Sequence, residues 1–314
     1  IPLDGGAVTA LTTTPGIHRC VAGGDTRVVT SSTMFDTRST TMVHTGETSF
    51  EVESLAERPE LDFDVNFHVT TDRALNSAVI TPANHDGGLL PVLLDPYGGP
   101  HALRVQKAQS AFTASQWFAD QGFVVIVTDG SGTPARGPKF EQEVLGNLAD
   151  PALDDQVATL HALARQHEGL MDLTRVGIRG WSYGGYLAAL AVMKRPDVFH
   201  AGIAGAPVTD WRLYDTHYTE RYLGHPATDA AAYECSDLIP LAPQLERPLM
   251  LIHGLADDNV VSAHTFKLSR ALLEAGRPHQ VLPLSGVSHM TPQESVAENL
   301  LRLQVAFLRE SLGC

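Results

Sequence analysis

The stretch RVGIRGWSYGGYLAAL at residues 175–190 sets Ser182 between Gly180 and Gly184, in a G-x-S-x-G pattern that follows an apolar run and opens a helical one. Small residues must flank a serine on a sharp strand-to-helix turn, because a bulky side chain would clash there. Such a turn lifts the hydroxyl to where a substrate can reach it. A tight turn alone would use the same glycines, but the strand–turn–helix setting favours a nucleophile elbow. A serine hydroxyl is weakly nucleophilic at neutral pH and needs a general base that is itself oriented by a carboxylate. The chemistry to look for is therefore acyl transfer, with a histidine and an acid elsewhere in the chain.

The elements that must position these groups follow a clear rhythm from about residue 90. Apolar strand candidates at 91–94, 123–128, 175–179, 201–204, 248–253 and 280–284 alternate with helical periodicity at 153–166, 186–193 and 262–276. That alternation predicts a mostly parallel central sheet flanked by helices. Ser262 is the candidate N-cap and Gly276 the stop of the 262–276 helix. For the last helix, Thr291, Pro292 and Glu294 supply a capping signal, and Val296, Leu300, Leu303 and Phe307 an apolar stripe. Residues 1–45 read differently, as short β-branched stretches such as AVTALT and TRVVTSS broken by turn signals. The domain expectation is thus an all-β segment at 1–45 and an α/β domain at 46–314.

In open α/β sheets, ligands sit beyond the carboxyl ends of the strands. Four loops qualify, beginning DPYGGPHA, GWSYGG, HGLADDNV and SGVSHM. In α/β-hydrolases the order is Ser, then Asp or Glu, then His. Of fourteen histidines, His289 alone fits both the order and a loop of this kind. His253 ends a buried strand, His264 lies within a helix, His279 is at the wrong end of its strand and His101 precedes the serine. HGLADDNVV offers Asp257 and Asp258 as the acid, and spacing does not choose between them. The backbone N–H of Tyr183 is one oxyanion donor, and the Tyr97 phenol, in a loop turned by Gly98 and Gly99, is a candidate for the second.

GWSYGGY, YGGP, IHGLADDNV and the histidine before the last helix, in this order, resemble the prolyl oligopeptidase family of serine peptidases, most closely its dipeptidyl peptidase IV branch. The resemblance runs from about Leu61 to the C-terminus and includes GAPVTDWRLYDTHYTERYLG at 205–224. It implies an α/β-hydrolase domain preceded by a remnant of the last β-propeller blade. By the same resemblance Ser182 is the nucleophile, Asp257 the acid and His289 the base, with Tyr97 and Tyr183 at the oxyanion. A proline-accepting pocket falls on Tyr183, Val208, Trp211, Tyr214, Tyr218 and Val260, and Asn259 matches a residue that contacts a substrate carbonyl. Proline is a flat apolar ring without an N–H, which an aromatic slot suits. The implied activity is cleavage after proline or alanine through an acyl-enzyme, with release of N-terminal dipeptides in the full-length protein. An acylaminoacyl-type peptidase or a carboxylesterase on the same fold is the alternative, and a pseudo-peptidase would have been free to lose any of these groups. Implied partners are a peptide with proline at its penultimate position, an N-terminal propeller domain and a second copy in the full-length protein.

Composition narrows the remaining classes. The 314 residues are 43% hydrophobic and 18% charged, enough to bury a large core. A formal net charge of −14 gives no electrostatic footprint for nucleic acid or an anionic membrane. No run approaches the roughly 18 apolar residues of a membrane span. Cys20, Cys235 and Cys314 form no CxxC pair, so neither a disulfide framework nor a metal site is expected, and no cofactor is implied. Cysteine usage favours a cytoplasmic location, and the missing initiator Met suggests a piece of something longer.

Overall fold

The structure is a computed structural model that describes residue 8 and residues 10–314. It contains two compact units, the first within Ile1–Phe63 and Gln106–Trp117, the second within Asp64–Val105 and Phe118–Cys314.

The first unit holds an antiparallel meander of β1 (Ile17–Gly23), β2 (Thr26–Ser32), β3 (Thr40–Thr45) and β4 (Thr48–Val52), hydrogen-bonded in that order. Gly24 and Gly46, at φ 55° and 54°, make the two hairpins possible, because two-residue loops matched to strand twist need a positive φ. The TRVVTSS stretch forms β2. Of the AVTALT stretch, residues 7 and 9 lie outside the described residues, and residues 10–12 are not in a strand. The expected boundary after residue 45 falls inside this sheet, since the Gly46-Glu47 hairpin returns the chain into β4.

The second unit is built on an eight-stranded sheet. Its strands are β5 (Val65–Thr70), β6 (Leu75–Ile80), β7 (Leu90–Leu94), β8 (Val124–Asp129), β9 (Met171–Trp181), β10 (Ala201–Gly205), β11 (Leu249–Gly254) and β12 (Gln280–Leu284). Their spatial order is β12-β11-β10-β9-β7-β8-β6-β5. All six expected strands are present and run parallel, while β5 and β6 are antiparallel additions at one edge. The alternation in VNFHVT marks β5 as a half-buried strand. By contrast β8, β10 and β11 are buried along their whole length, as expected for strands covered on both faces.

The α-helices are α1 (Thr113–Asp120), α2 (Pro138–Glu141), α3 (Asp150–Gln166), α4 (Tyr183–Lys194), α5 (Thr216–Leu223), α6 (Ala230–Cys235), α7 (Ala263–Glu274) and α8 (Glu294–Leu312). Helix α3 begins three residues before the expected start because the Asn147 carboxamide oxygen accepts from the N–H groups of Ala149 and Asp150. Ser262 precedes α7 but its side chain makes no capping bond; its backbone is already helical. Gly276, at φ 68°, ends that helix as expected. The capping signal at Thr291 to Glu294 is corrected too: α8 starts at Glu294, after Gln293, with no side-chain cap. Its stripe also differs, since Leu303 is exposed and the buried face is Leu300, Gln304, Val305, Phe307, Leu308 and Leu312.

Helix α4 is buried along nearly its whole length against β9 and β10. This approach depends on Gly185, where a Cβ would fall well inside van der Waals contact with the carbonyl oxygen of Gly205. Gly185→Ala should therefore push α4 off the sheet at a cost of about 1–3 kcal/mol or more. The check is the urea midpoint by circular dichroism; an unchanged midpoint would show that the two backbones are not in contact.

Candidate active site

The sheet presents four loops at one end, and the strand pairings set their relative positions. Gly205 of β10 is in register with Trp181 of β9, and Leu94 of β7 with Ile178 of β9. Beyond these pairs the chain runs into the loop of Tyr97 on one side and into Ser182 on the other.

Ser182 itself has φ 59° and ψ −118°, a combination a non-glycine residue rarely adopts. It is held there on both sides. Its N–H donates to the Gly205 carbonyl at 2.8 Å, and its carbonyl accepts from Tyr186 N–H at 2.9 Å in the first turn of α4. A Cβ on Gly180 would collide with the backbone of Gly184, so the glycines of G-x-S-x-G are there because the chain crosses itself closely.

His289 follows β12 and precedes α8. Its Nδ1–H donates to Asp257 Oδ2 at 2.7 Å, and its backbone carbonyl accepts from Trp181 Nε1 at 2.7 Å. The second bond ties the histidine loop to the residue beside Ser182. Asp257 is the member of the acidic pair that is buried, whereas Asp258 is exposed. Its Oδ1 accepts from the N–H groups of Asn259 and Val260 at 3.0 and 2.9 Å, so the loop backbone aims Oδ2 at the imidazole. His253 braces this loop from the end of β11. It bonds the Val260 carbonyl and the Thr265 hydroxyl, each at 2.7 Å, and burial lowers its pKa, which keeps it neutral. With Nδ1–H committed to the carboxylate, His289 Nε2 is the basic nitrogen. Among the described residues neither that nitrogen nor Ser182 Oγ has a hydrogen-bond partner, a separation common in sites without substrate.

The Tyr97 loop lies against the start of α4. A Cβ on Gly99 would enter the Tyr183 ring, and the Tyr97 and Tyr183 rings are 5.7 Å apart. The Tyr183 hydroxyl donates to the Leu148 carbonyl at 2.6 Å, which anchors its ring as a wall, and its N–H opens α4, where backbone donors have no partner within the helix. Tyr183 packs in turn on Trp211 at 5.9 Å, Trp211 stacks on Tyr218 at 5.9 Å, and Tyr214 meets Tyr218 edge-on at 5.5 Å. Trp211 and Tyr218 sit on separate short helical segments, so these aromatics are not one face of a single core helix. Val208 and Val260 belong to the same apolar cluster, and Asn259 joins it by accepting from the Tyr214 hydroxyl at 3.1 Å.

All the residues expected at the site thus lie in one region. Two contributors escaped sequence reasoning. Tyr222, one helical turn after Tyr218, packs on it at 5.2 Å, and the i, i+4 spacing could have revealed it. His101, set aside as a base because it precedes the serine, lies 5.0 Å from Tyr218 and hydrogen-bonds the Tyr222 hydroxyl at 2.9 Å. Among the described residues no cluster of His, Cys, Asp and Glu could hold a metal ion, and no helix is long and apolar enough to cross a membrane.

An elbow serine, a carboxylate-oriented histidine and a mostly parallel sheet define an α/β-hydrolase domain. The prolyl oligopeptidase family profile matches residues 109–314, and the chain belongs to that family. It is 40% identical over 261 residues to human dipeptidyl peptidase 8, covering 79% of this chain and 28% of that protein. It is 31% identical over 261 residues to human prolyl endopeptidase FAP, covering 79% of this chain and 34% of that protein. The crystal structure of Porphyromonas gingivalis dipeptidyl peptidase 4 superposes with a TM-score of 0.86 at 29% identity, over 97% of this chain and 45% of that one. The chain therefore spans less than half the length of each of these relatives.

All seven tyrosines of the chain have phenols pushed above the ordinary 10.0, chiefly by burial, with Tyr97 at about 12. The folded state thus holds more protons than the unfolded chain above pH 10. The stability these phenols contribute is complete below pH 10 and is lost as pH rises from there, through about 12 for Tyr97. An absorbance titration at 295 nm should show phenolate formation displaced above pH 10, with the buried phenols of Tyr97, Tyr183, Tyr186 and Tyr218 ionising only as near-ultraviolet circular dichroism is lost. Ionisation of all seven tyrosines at pH 10 in the folded protein would contradict the buried cluster.

Proposed function

We propose that the protein is a serine peptidase that cleaves after proline, and less well after alanine, through an acyl-enzyme. The observation that carries the reading is the aromatic slot of Trp211, Tyr214 and Tyr218 beside Tyr183, the residue directly after the elbow serine. A proline ring buried in that slot holds its carbonyl over Ser182. His289 Nε2 takes the hydroxyl proton as Oγ attacks, and the buried Asp257 carboxylate stabilises the imidazolium that forms. The Tyr183 N–H and the Tyr97 hydroxyl hold the oxyanion, and the high pKa of Tyr97 keeps it a donor throughout the neutral range. Asn259, bonded to Tyr214, faces the carbonyl one residue upstream. His289 then returns the proton to the leaving amine, and water repeats the sequence to release the acid.

In the whole protein the substrate is a peptide with proline at its penultimate position, released as an N-terminal dipeptide. The four-stranded β1–β4 sheet is the last blade of an N-terminal propeller, and the full-length protein forms a homodimer. Family membership and the names of the relatives support the peptidase part of this reading, and the relatives' greater length supports a further domain.

Ser182→Ala should lower turnover of a Gly-Pro anilide by about 10⁴-fold or more and abolish labelling by a fluorophosphonate probe. Asp257→Asn should cost a similar factor, while Asp258→Asn leaves the rate within about twofold. Tyr214→Ala should reduce kcat/KM for the anilide by about tenfold or more with little effect on a short-chain nitrophenyl ester. A protein that turns over only the ester, indifferent to Tyr214, is an esterase and the peptidase reading is wrong.

A further inference from the structure

One buried ionic network in the second unit has no part in the chemistry just described, yet it touches three of the elements that deliver it. Asp95 is the residue after β7 and lies two residues before Tyr97. Its side chain is only 3% exposed, and its two oxygens are divided between two guanidiniums. Oδ1 accepts from Arg179 Nη1 at 2.7 Å, and Oδ2 from Arg104 Nη2 at 2.8 Å.

Each partner connects to a different part of the site. Arg179 lies on β9, three residues before Ser182. The last ladder pair of β7 and β9 is Leu94 with Ile178, so the Asp95–Arg179 ion pair continues the same register one step past the ladder, where the chains leave for Tyr97 and Ser182. Arg104 closes the far end of the Tyr97 loop back onto its beginning, while the N–H groups of Arg104 and Val105 donate to the Asp129 carboxylate at 2.9 Å each. The loop from 96 to 105 is thereby clipped at both ends. Arg179 is in turn held in orientation: its Nε donates to Gln304 Oε1 at 3.1 Å, and its guanidinium lies 4.4 Å from the Phe118 ring centroid. Gln304 is on α8, the helix that His289 precedes.

Stability alone is a poor reason for this arrangement, because a well-packed apolar replacement is often as stable as a buried ion pair. What directional charged bonds add is position. β7 stays in register with both β8 and β9 through Leu94, and the Asp95 N–H still donates to the Ile126 carbonyl at 2.8 Å, so it is the loop beyond Asp95, which carries Tyr97, that the ladder no longer holds. We propose that Arg179, acting through Asp95, is a positioning residue that sets the Tyr97 hydroxyl relative to Ser182, with Gln304 orienting the guanidinium. The inference rests on the proposed acyl-transfer role of Ser182 and Tyr97. It concerns the geometry of the transition state, since Arg179 precedes the elbow and lines neither the aromatic slot nor the dyad.

The test is Arg179→Met, which keeps length and apolar bulk and leaves Asp95 paired with Arg104. The expected result is a kcat for Gly-Pro anilide lower by about 10–100-fold with KM within about threefold, because misplacing an oxyanion donor costs rate rather than ground-state binding. In a Tyr97→Phe background the same substitution should cost less than about threefold more, since its effect runs through the hydroxyl already removed. Losses that multiply in the double variant, or an unchanged kcat in the single one, would overturn the inference. Should Arg179→Met fail to fold, Gln304→Leu retains both ion pairs and carries the same test. It should give a smaller kcat loss that also disappears in the Tyr97→Phe background, and a loss that persists there would overturn the inference. Wild-type protein that neither hydrolyses the anilide nor reacts with fluorophosphonate at Ser182 refutes the functional reading and this inference together. Normal wild-type activity with full kcat in Arg179→Met refutes this inference alone.

Discussion

A serine held at φ 59° between a buried parallel strand and a buried helix is the constraint around which the second unit is arranged. A backbone of this kind costs of order 1–3 kcal/mol and persists only where its surroundings over-determine it. Here they do so through backbone contacts rather than side chains. The Ser182 N–H is used by β10, its carbonyl by α4, and glycines allow both elements to approach the turn. The strain is thus supported by the packing of the sheet and its longest-buried helix, and no local loop sequence could sustain it.

Around the elbow the polar and apolar halves of the site are built on different principles. The polar half is a chain of directed hydrogen bonds in which backbone N–H groups aim Asp257, Asp257 aims His289, and Trp181 ties the histidine loop to the serine. The apolar half is an aromatic stack running from Tyr97 through Tyr183, Trp211 and Tyr218 to Tyr222. Tyr183 belongs to both. Its N–H opens α4 beside the serine while its ring is fixed by the Leu148 carbonyl, so the spacing between Ser182 and the aromatic stack is set within a single residue.

Much of this arrangement was legible before the structure. Several of the six parallel strands, β8, β10 and β11 among them, announce themselves as continuous apolar runs, because burial on both faces removes alternation. G-x-S-x-G, the acidic pair and a histidine between a strand and the last helix are recognisable because their spacing follows strand ends. The misjudged features are those in which a local signal competes with tertiary packing. Thr291 and Glu294 look like a cap, yet α8 starts at Glu294 without one; Leu303 fits a helical stripe, yet it faces solvent. Capping and periodicity describe an isolated helix, whereas the surface a helix buries depends on what it packs against.

The amino-acid sequence by itself determined the parallel sheet, where the turn at Ser182 falls and the residue types available to it, since these depend on local spacing, glycine and apolar patterning, whereas the strain of that turn is held by β10 and α4. Spacing left Asp257 and Asp258 equivalent and resemblance alone named Asp257; the physical reason lies in the tertiary structure, where the backbone N–H groups of Asn259 and Val260 reach Asp257 and aim it at His289. Only the tertiary structure decided that Asp95, Arg104, Arg179 and Gln304 form one network. Those residues lie up to 209 positions apart in chain numbering, from 95 to 304, and no periodicity links them. They meet because parallel pairing brings the ends of β7 and β9 side by side and α8 packs against β9.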